Sequence, residues 1–74
     1  MKSAVTIDLS TPESIAATRR ALGLTQEQCG ELAFLSRKTW ESYEQRDANG
    51  NPRRNMSERV KILFTERARK IKNK

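Results

Sequence analysis

Arg37, Lys38, Glu41, Ser42 and Gln45, in the stretch "SRKTWESYEQ", each carry a hydrogen-bonding side chain. At helical spacing they share one side, and Trp40 and Tyr43, three apart, share the other. The polar face has both of its long cationic donors in the first turn. Such a set can bind an acceptor-rich or anionic surface, but it lacks what bond-making chemistry needs. The chain contains no histidine and a single cysteine, Cys29. A zinc site, a histidine-based catalytic pair and an internal disulfide are therefore excluded. Cys29 falls on an apolar helix face, as core cysteines do, and there is no phosphate-binding glycine loop. The chain reads as a non-enzyme with no cofactor and no metal.

The partner is indicated by charge. Fifteen lysines and arginines oppose nine acidic residues in 74, a net charge of +6. Such a balance favours a polyanion or an anionic membrane surface. The excess sits at one end, with nine basic against two acidic residues from 53 to 74, and six against seven before that. The basic end is either a solvated helix face or a phosphate contact. No segment is long and apolar enough to span a bilayer, and "MKSAVTIDLS" lacks the apolar run of a secretory signal. The chain is read as cytoplasmic, with no membrane partner.

The length allows one small domain, near the lower limit for a single core, so oligomerisation is expected. Residues 1–10 form an arm or strand, 11–71 the domain and 72–74 a basic tail. Val5, Ile7 and Leu9 alternate with polar residues, the period of a half-buried strand that either joins a partner's edge or stays a loose arm. "STPESIAATRRALG" has Ser10 or Thr11 as cap, Pro12 in the first turn and Gly23 as stop, with Ile15, Thr18 or Arg19, and Leu22 facing inward. Thr25 and Gln28 form a capping box for a helix from Gln26 to about Ala33. Ser36 caps a third helix, and Asn55 with Glu58 a fourth, whose apolar row is Val60, Leu63, Phe64 and Ile71, interrupted by Arg67.

The segment "ALGLTQEQCGELAFLSRKTWESYEQ" resembles the helix-turn-helix core of the phage Cro and C-repressor (XRE-like) DNA-binding family. "LGLTQEQ" carries most of the likeness, followed by Glu31-Leu32, Ser36-Arg37, Thr39 and "SYEQ". The match spans Ile15 to Gln45, about two-fifths of the chain. It implies a mainly all-α fold, a four- to five-helix Cro/C-repressor-like domain with a possible short N-terminal β-strand. It also implies a transcriptional regulator, a repressor in the first instance, that reads double-stranded DNA in the major groove through its third helix. On the family pattern Arg37, Lys38, Thr39 and Ser42 face the bases, with Glu41 and Gln45 further along. Gln26 and Ser36 contact phosphate, and Arg53 and Arg54 do so from the "NGNPRRN" loop. Arg19 and Glu44 form a structural ion pair. Arginine and lysine suit the O6 and N7 acceptors of guanine, so a G·C pair is expected in each half-site.

Three residues depart from the family pattern. Gly30 and Trp40 replace an alanine and a small β-branched residue, which leads to the expectation that the missing methyl admits the indole; the alternative is that Trp40 points elsewhere. Phe34 stands where a left-handed glycine is usual, so either the turn is reshaped or the ring's packing offsets the strain. One recognition helix reads too few base pairs, so a homodimer on a palindromic operator is expected. Its contact is placed at Val5, Ile7 and Leu9 through antiparallel strand pairing, ahead of helix four with Val60, Leu63 and Phe64. No ligand-sensing domain is expected, hence no small-molecule partner. Two other readings remain: an antitoxin-type DNA-binding protein that grips a second protein, and a nonspecific RNA-binding module.

Overall fold

The computed structural model describes residues 7–72. They form four helices: α1 (Pro12–Leu22), α2 (Gln26–Leu32), α3 (Arg37–Tyr43) and α4 (Glu58–Lys72). The chain is mainly helical. Among the described residues there is no strand, only an isolated bridge between Arg46 and Pro52 in the loop before α4.

Most helix ends follow from local chemistry. Thr11 caps α1 by accepting from the Ser14 N–H at 3.0 Å, with Pro12 at the first position, where its missing N–H costs nothing. Gly23, at φ 73°, closes α1, and the N–H groups of Gly23 and Leu24 return to the carbonyls of Arg20 and Arg19. At the start of α2 the capping box is complete: Gln28 N–H donates to Thr25 Oγ1 at 3.1 Å and Thr25 N–H to Gln28 Oε1 at 2.9 Å. Ser36 caps α3 through the Thr39 N–H. The cap of α4 is corrected to Ser57, whose Oγ accepts from the Val60 N–H at 3.2 Å. Met56 is buried in the core, so helix geometry begins only after it, and Asn55 lies outside.

Phe34 adopts φ 59°, which settles how α2 ends. Its N–H donates to the Glu31 carbonyl at 3.2 Å and that of Leu35 to the Gly30 carbonyl at 2.7 Å. These two bonds are the Schellman pair that a glycine would support. The turn is therefore not reshaped, and a left-handed non-glycine residue costs roughly 1–2 kcal/mol. The ring is 71% exposed and carries the Arg67 guanidinium 4.7 Å from its centroid. A cation–π contact at an exposed site contributes about 0.5–1 kcal/mol, so only part of the strain is offset.

The core is built from Leu9, Ile15, Cys29, Ala33, Trp40, Tyr43, Met56, Phe64 and Ala68. α2 packs against both α3 and α4. Trp40 and Phe64 are fully buried with ring centroids 4.9 Å apart, and Tyr43 meets the indole edge-on at 5.8 Å. α4 turns Val60, Phe64 and Ala68 inward, so Ala68 supplies the turn that the predicted row assigned to Ile71, which is 39% exposed.

Two expectations are corrected. A Cβ on Gly30 would meet backbone, the Leu35 carbonyl oxygen at 2.8 Å and that of Ser36 at 3.0 Å, and not the indole. The glycine lets the chain fold closely over α2 before α3 begins. Residues 7–9 form no strand: the Asp8 N–H donates to Thr18 Oγ1 and the Thr18 hydroxyl donates to the Asp8 carbonyl, both at 3.2 Å. That exchange fastens the arm to α1. It buries Leu9 to 8% exposure and packs Ile7 against the same core, so Leu9 is taken up within its own chain. Val5 and the last two residues of the basic tail lie outside the described residues.

Alanine at Gly30 forces backbone to move, so Gly30→Ala should destabilise the fold by about 1–3 kcal/mol in denaturant unfolding, an overpacking cost larger than alanine's gain in helix propensity of about 1 kcal/mol. An unchanged midpoint would contradict the close approach.

Candidate nucleic-acid interface

Glu44 follows the last residue of α3 and its carboxylate joins three helices. Oε2 accepts from Arg19 Nε at 2.7 Å and from the Trp40 indole N–H at 2.7 Å. Oε1 accepts from Arg19 Nη2 at 3.3 Å and from Gln26 Nε2 at 3.1 Å. Arg19 also donates to the Leu24 carbonyl. The side chains are 16% and 7% exposed for Arg19 and Glu44. The Arg19–Glu44 pair implied by the family resemblance is thus present, and Trp40 and Gln26 extend it in a way that pair alone did not suggest. A fork of this kind fixes direction as well as distance.

Anchored by these bonds, α3 presents Arg37 and Lys38 exposed, with Glu41 and Ser42 half-buried on the same side; Gln45, expected on this helix, is exposed just past its end at Tyr43. Arg37 Nε lies 2.9 Å from Glu41 Oε2, an i,i+4 pair that leans the guanidinium along the helix while leaving its side chain 63% exposed. Thr39 is half-buried, with Oγ1 3.0 Å from Ser36 Oγ. Gln26, turned to Glu44, lines an open cleft with Thr25, Glu27 and Arg37. The predicted base-facing residues are therefore brought together, and Gln26 and Ser36 border them.

The loop after α3 is folded back on itself. Asp47 Oδ1 accepts from the N–H groups of Asn49 and Asn51, and Gly50 takes φ 84° to turn the chain. Arg46 binds Glu13 of α1 through two contacts of 2.7 Å, which ties the loop to the body. The Arg53 N–H donates to the Gln45 carbonyl at 2.9 Å, and Arg54 Nε donates to Ser42 Oγ at 3.2 Å. Arg53 and Arg54 thus stand beside the exposed face of α3, Arg54 on a residue of that face. The Arg46–Glu13 bond and the reach of Arg54 escaped sequence reasoning, because loop geometry decides both; the Asp47-Ala48-Asn49-Gly50 turn was the available signal.

Titration follows contact. The guanidinium of Arg46 holds the exposed Glu13 carboxyl down at about 2. Hydrogen bonds from Ser10 lower Asp8. Burial pushes the Cys29 thiol up to about 12, so it carries almost no thiolate at neutral pH. Among the described residues no group of three or more cysteine, aspartate or glutamate side chains is assembled to hold a metal ion. No described helix is long and apolar enough to cross a membrane.

Comparison with protein-family models, with curated proteins and with solved structures finds no match to this chain. The site therefore rests on its own geometry.

Removing the Glu44 carboxylate leaves a partly buried guanidinium with only the Leu24 carbonyl as acceptor and an indole N–H with none. Glu44→Ala should cost about 3 kcal/mol or more in chemical denaturation. Glu41→Ala breaks only an exposed pair and should cost less than about 0.5 kcal/mol; equal costs would refute the anchoring role.

The Glu13 bond gives a signed pH dependence. Its folded pKa lies below the ordinary 4.5, so its contribution is complete above that value and is lost as the pH falls towards about 2. The stability gap between wild type and Glu13→Gln should be widest at neutral pH and close across that window. A gap that stays constant on acidification would show that the pair contributes nothing.

Proposed function

We propose that the chain is a sequence-specific DNA-binding regulator, a helix-turn-helix protein of the Cro/C-repressor kind, that places α3 in the major groove. The observation that carries this reading is the exposed cationic first turn of α3, held in a fixed direction by the Glu44 network and flanked by Arg53 and Arg54. In a groove, Lys38 and Arg37 reach guanine O6 and N7, and each good bidentate contact contributes about 1–3 kcal/mol of discrimination. Glu41 steers Arg37 towards one position. Thr39, Ser42 and Gln45 offer shorter contacts. Gln26, Ser36, Arg53 and Arg54 are assigned to phosphate, where they set register and add salt-dependent affinity without sequence information.

A homodimer on a palindromic operator is part of the reading, since two half-sites about one helical turn apart give the specificity that one short helix lacks. Repression follows if such a dimer occupies a promoter and excludes the polymerase.

Selection of bound duplexes from a random pool tests the reading. A palindrome with a G·C pair in each half should emerge, and Arg37→Ala or Lys38→Ala should relax the preference at that pair. Arg53→Ala should weaken all sequences alike and lower the slope of log affinity against log salt by about one. A pool with no enriched sequence, together with equal affinity for RNA, would overturn the proposal in favour of nonspecific RNA binding. A second protein that copurifies at one-to-one stoichiometry would favour the antitoxin reading instead.

A further inference from the structure

Phe34 holds an unfavourable backbone conformation, yet 71% of it is exposed, so burial within the chain does not repay the strain. The Schellman bonds and the Arg67 contact account for the turn but not for a large apolar ring at its exposed tip, and strained residues cluster where a protein makes contacts. Beside the ring lies an open cleft of about 270 Å³ lined by Leu24, Gln28, Glu31, Leu32, Arg67 and Ile71. Arg67 forms one wall of this cleft and also stacks on Phe34, so projection and cleft share one face of the molecule. The face lies at the end of α2 and the second half of α4.

We propose that two copies of the chain join through this face about a two-fold axis, with Phe34 of each filling the Leu24, Leu32 and Ile71 cleft of the other. The size agrees, since an apolar cavity of about 150 Å³ accommodates a benzene molecule. The charges are self-complementary as well. Glu31 and Arg67 both line the cleft, so a two-fold sets Glu31 of each copy against Arg67 of the other. Arg67 is also the residue whose buried Nε lacks an acceptor among the described residues. Because projection and cleft are adjacent, the contact closes on itself as a dimer and does not propagate as a filament.

Other surfaces suit a second copy less well. Phe64 is fully buried and Val60 packs against the core, which removes them from a helix-four contact. Ile62, 53% exposed on α4, has the charged residues Arg59, Glu66 and Arg69 at neighbouring helical positions. This inference deepens the dimeric reading above by naming its contact, but the association itself does not depend on DNA.

Sedimentation of the full chain without DNA, over a wide concentration range, is the test. Wild type should sediment as a dimer. Phe34→Gly removes the projection and relieves the left-handed strain, so it should remain folded by circular dichroism while its dimer dissociation constant rises by at least about tenfold. Glu31→Arg should weaken the dimer, and Glu31→Arg with Arg67→Glu should restore it. A wild-type protein that is monomeric throughout, or a Phe34→Gly variant that associates as tightly as wild type, would overturn the proposal. A dimer lost in Phe34→Gly, alongside a duplex selection that yields no preferred sequence, would support this contact while rejecting the DNA-reading proposal.

Discussion

The carboxylate of Glu44 is the point on which three helices agree. It receives α1 through Arg19, α2 through Gln26 and α3 through the indole of Trp40. Without it the fully buried indole N–H would have no acceptor and the partly buried guanidinium would keep only the Leu24 carbonyl, a costly state for both. The arrangement is therefore close to all-or-none: with the carboxylate present, four donor contacts are satisfied together, and without it the direction of α3 relative to α1 is no longer specified by hydrogen bonds. A helix of seven residues is too short to hold itself by propensity. Its direction is imposed by Glu44 on one end, by the buried Trp40 and Tyr43 beneath, and by the Ser36 cap at the other end.

The same economy governs the turn and the loop. Gly30 lets the backbone of Leu35 and Ser36 press against α2, and Phe34 accepts a left-handed conformation so that two orphan carbonyls are satisfied. On the far side of α3, Arg46 reaches Glu13 and so keeps the Asp47–Pro52 turn against α1. Arg53 and Arg54 are held beside α3 by that fold of the loop, so the positive charge of this region is positioned and not merely abundant.

Much of this was legible in the sequence because it depends on neighbours in the chain. Thr11, Thr25 and Ser36 are caps whose partners lie three residues on, and the structure places α1 and α2 within a residue of the expected bounds and starts α3 directly after Ser36, though α3 ends at Tyr43, short of Gln45. Asn55 was misread because Ser57 offers the same capping chemistry and only the burial of Met56 decides between them. The strand reading of the arm fails over residues 7–9 for a similar reason. Alternation of Val5, Ile7 and Leu9 fits a strand, but the hydroxyl of Thr18 takes the Asp8 backbone, and no local pattern announces a bond ten residues away. Gly30 was identified as unusual with the wrong neighbour attached, since the close approach is to backbone and leaves no side-chain signature. Of the candidate site, the polar face of α3 follows from helical spacing, while the position of Arg54 on Ser42 does not, because a glycine-containing loop sets it.

Backbone amide spectra of the isotopically labelled protein, titrated with a short DNA duplex at low salt, test most directly whether the face positioned by Glu44 is the one that meets nucleic acid. The account predicts that perturbations concentrate at Gln26, at Ser36 to Ser42, and at Gln45, Arg53 and Arg54. Perturbations confined to Arg59, Arg69 and Lys70 on the outer side of α4, with α3 unchanged, would contradict it.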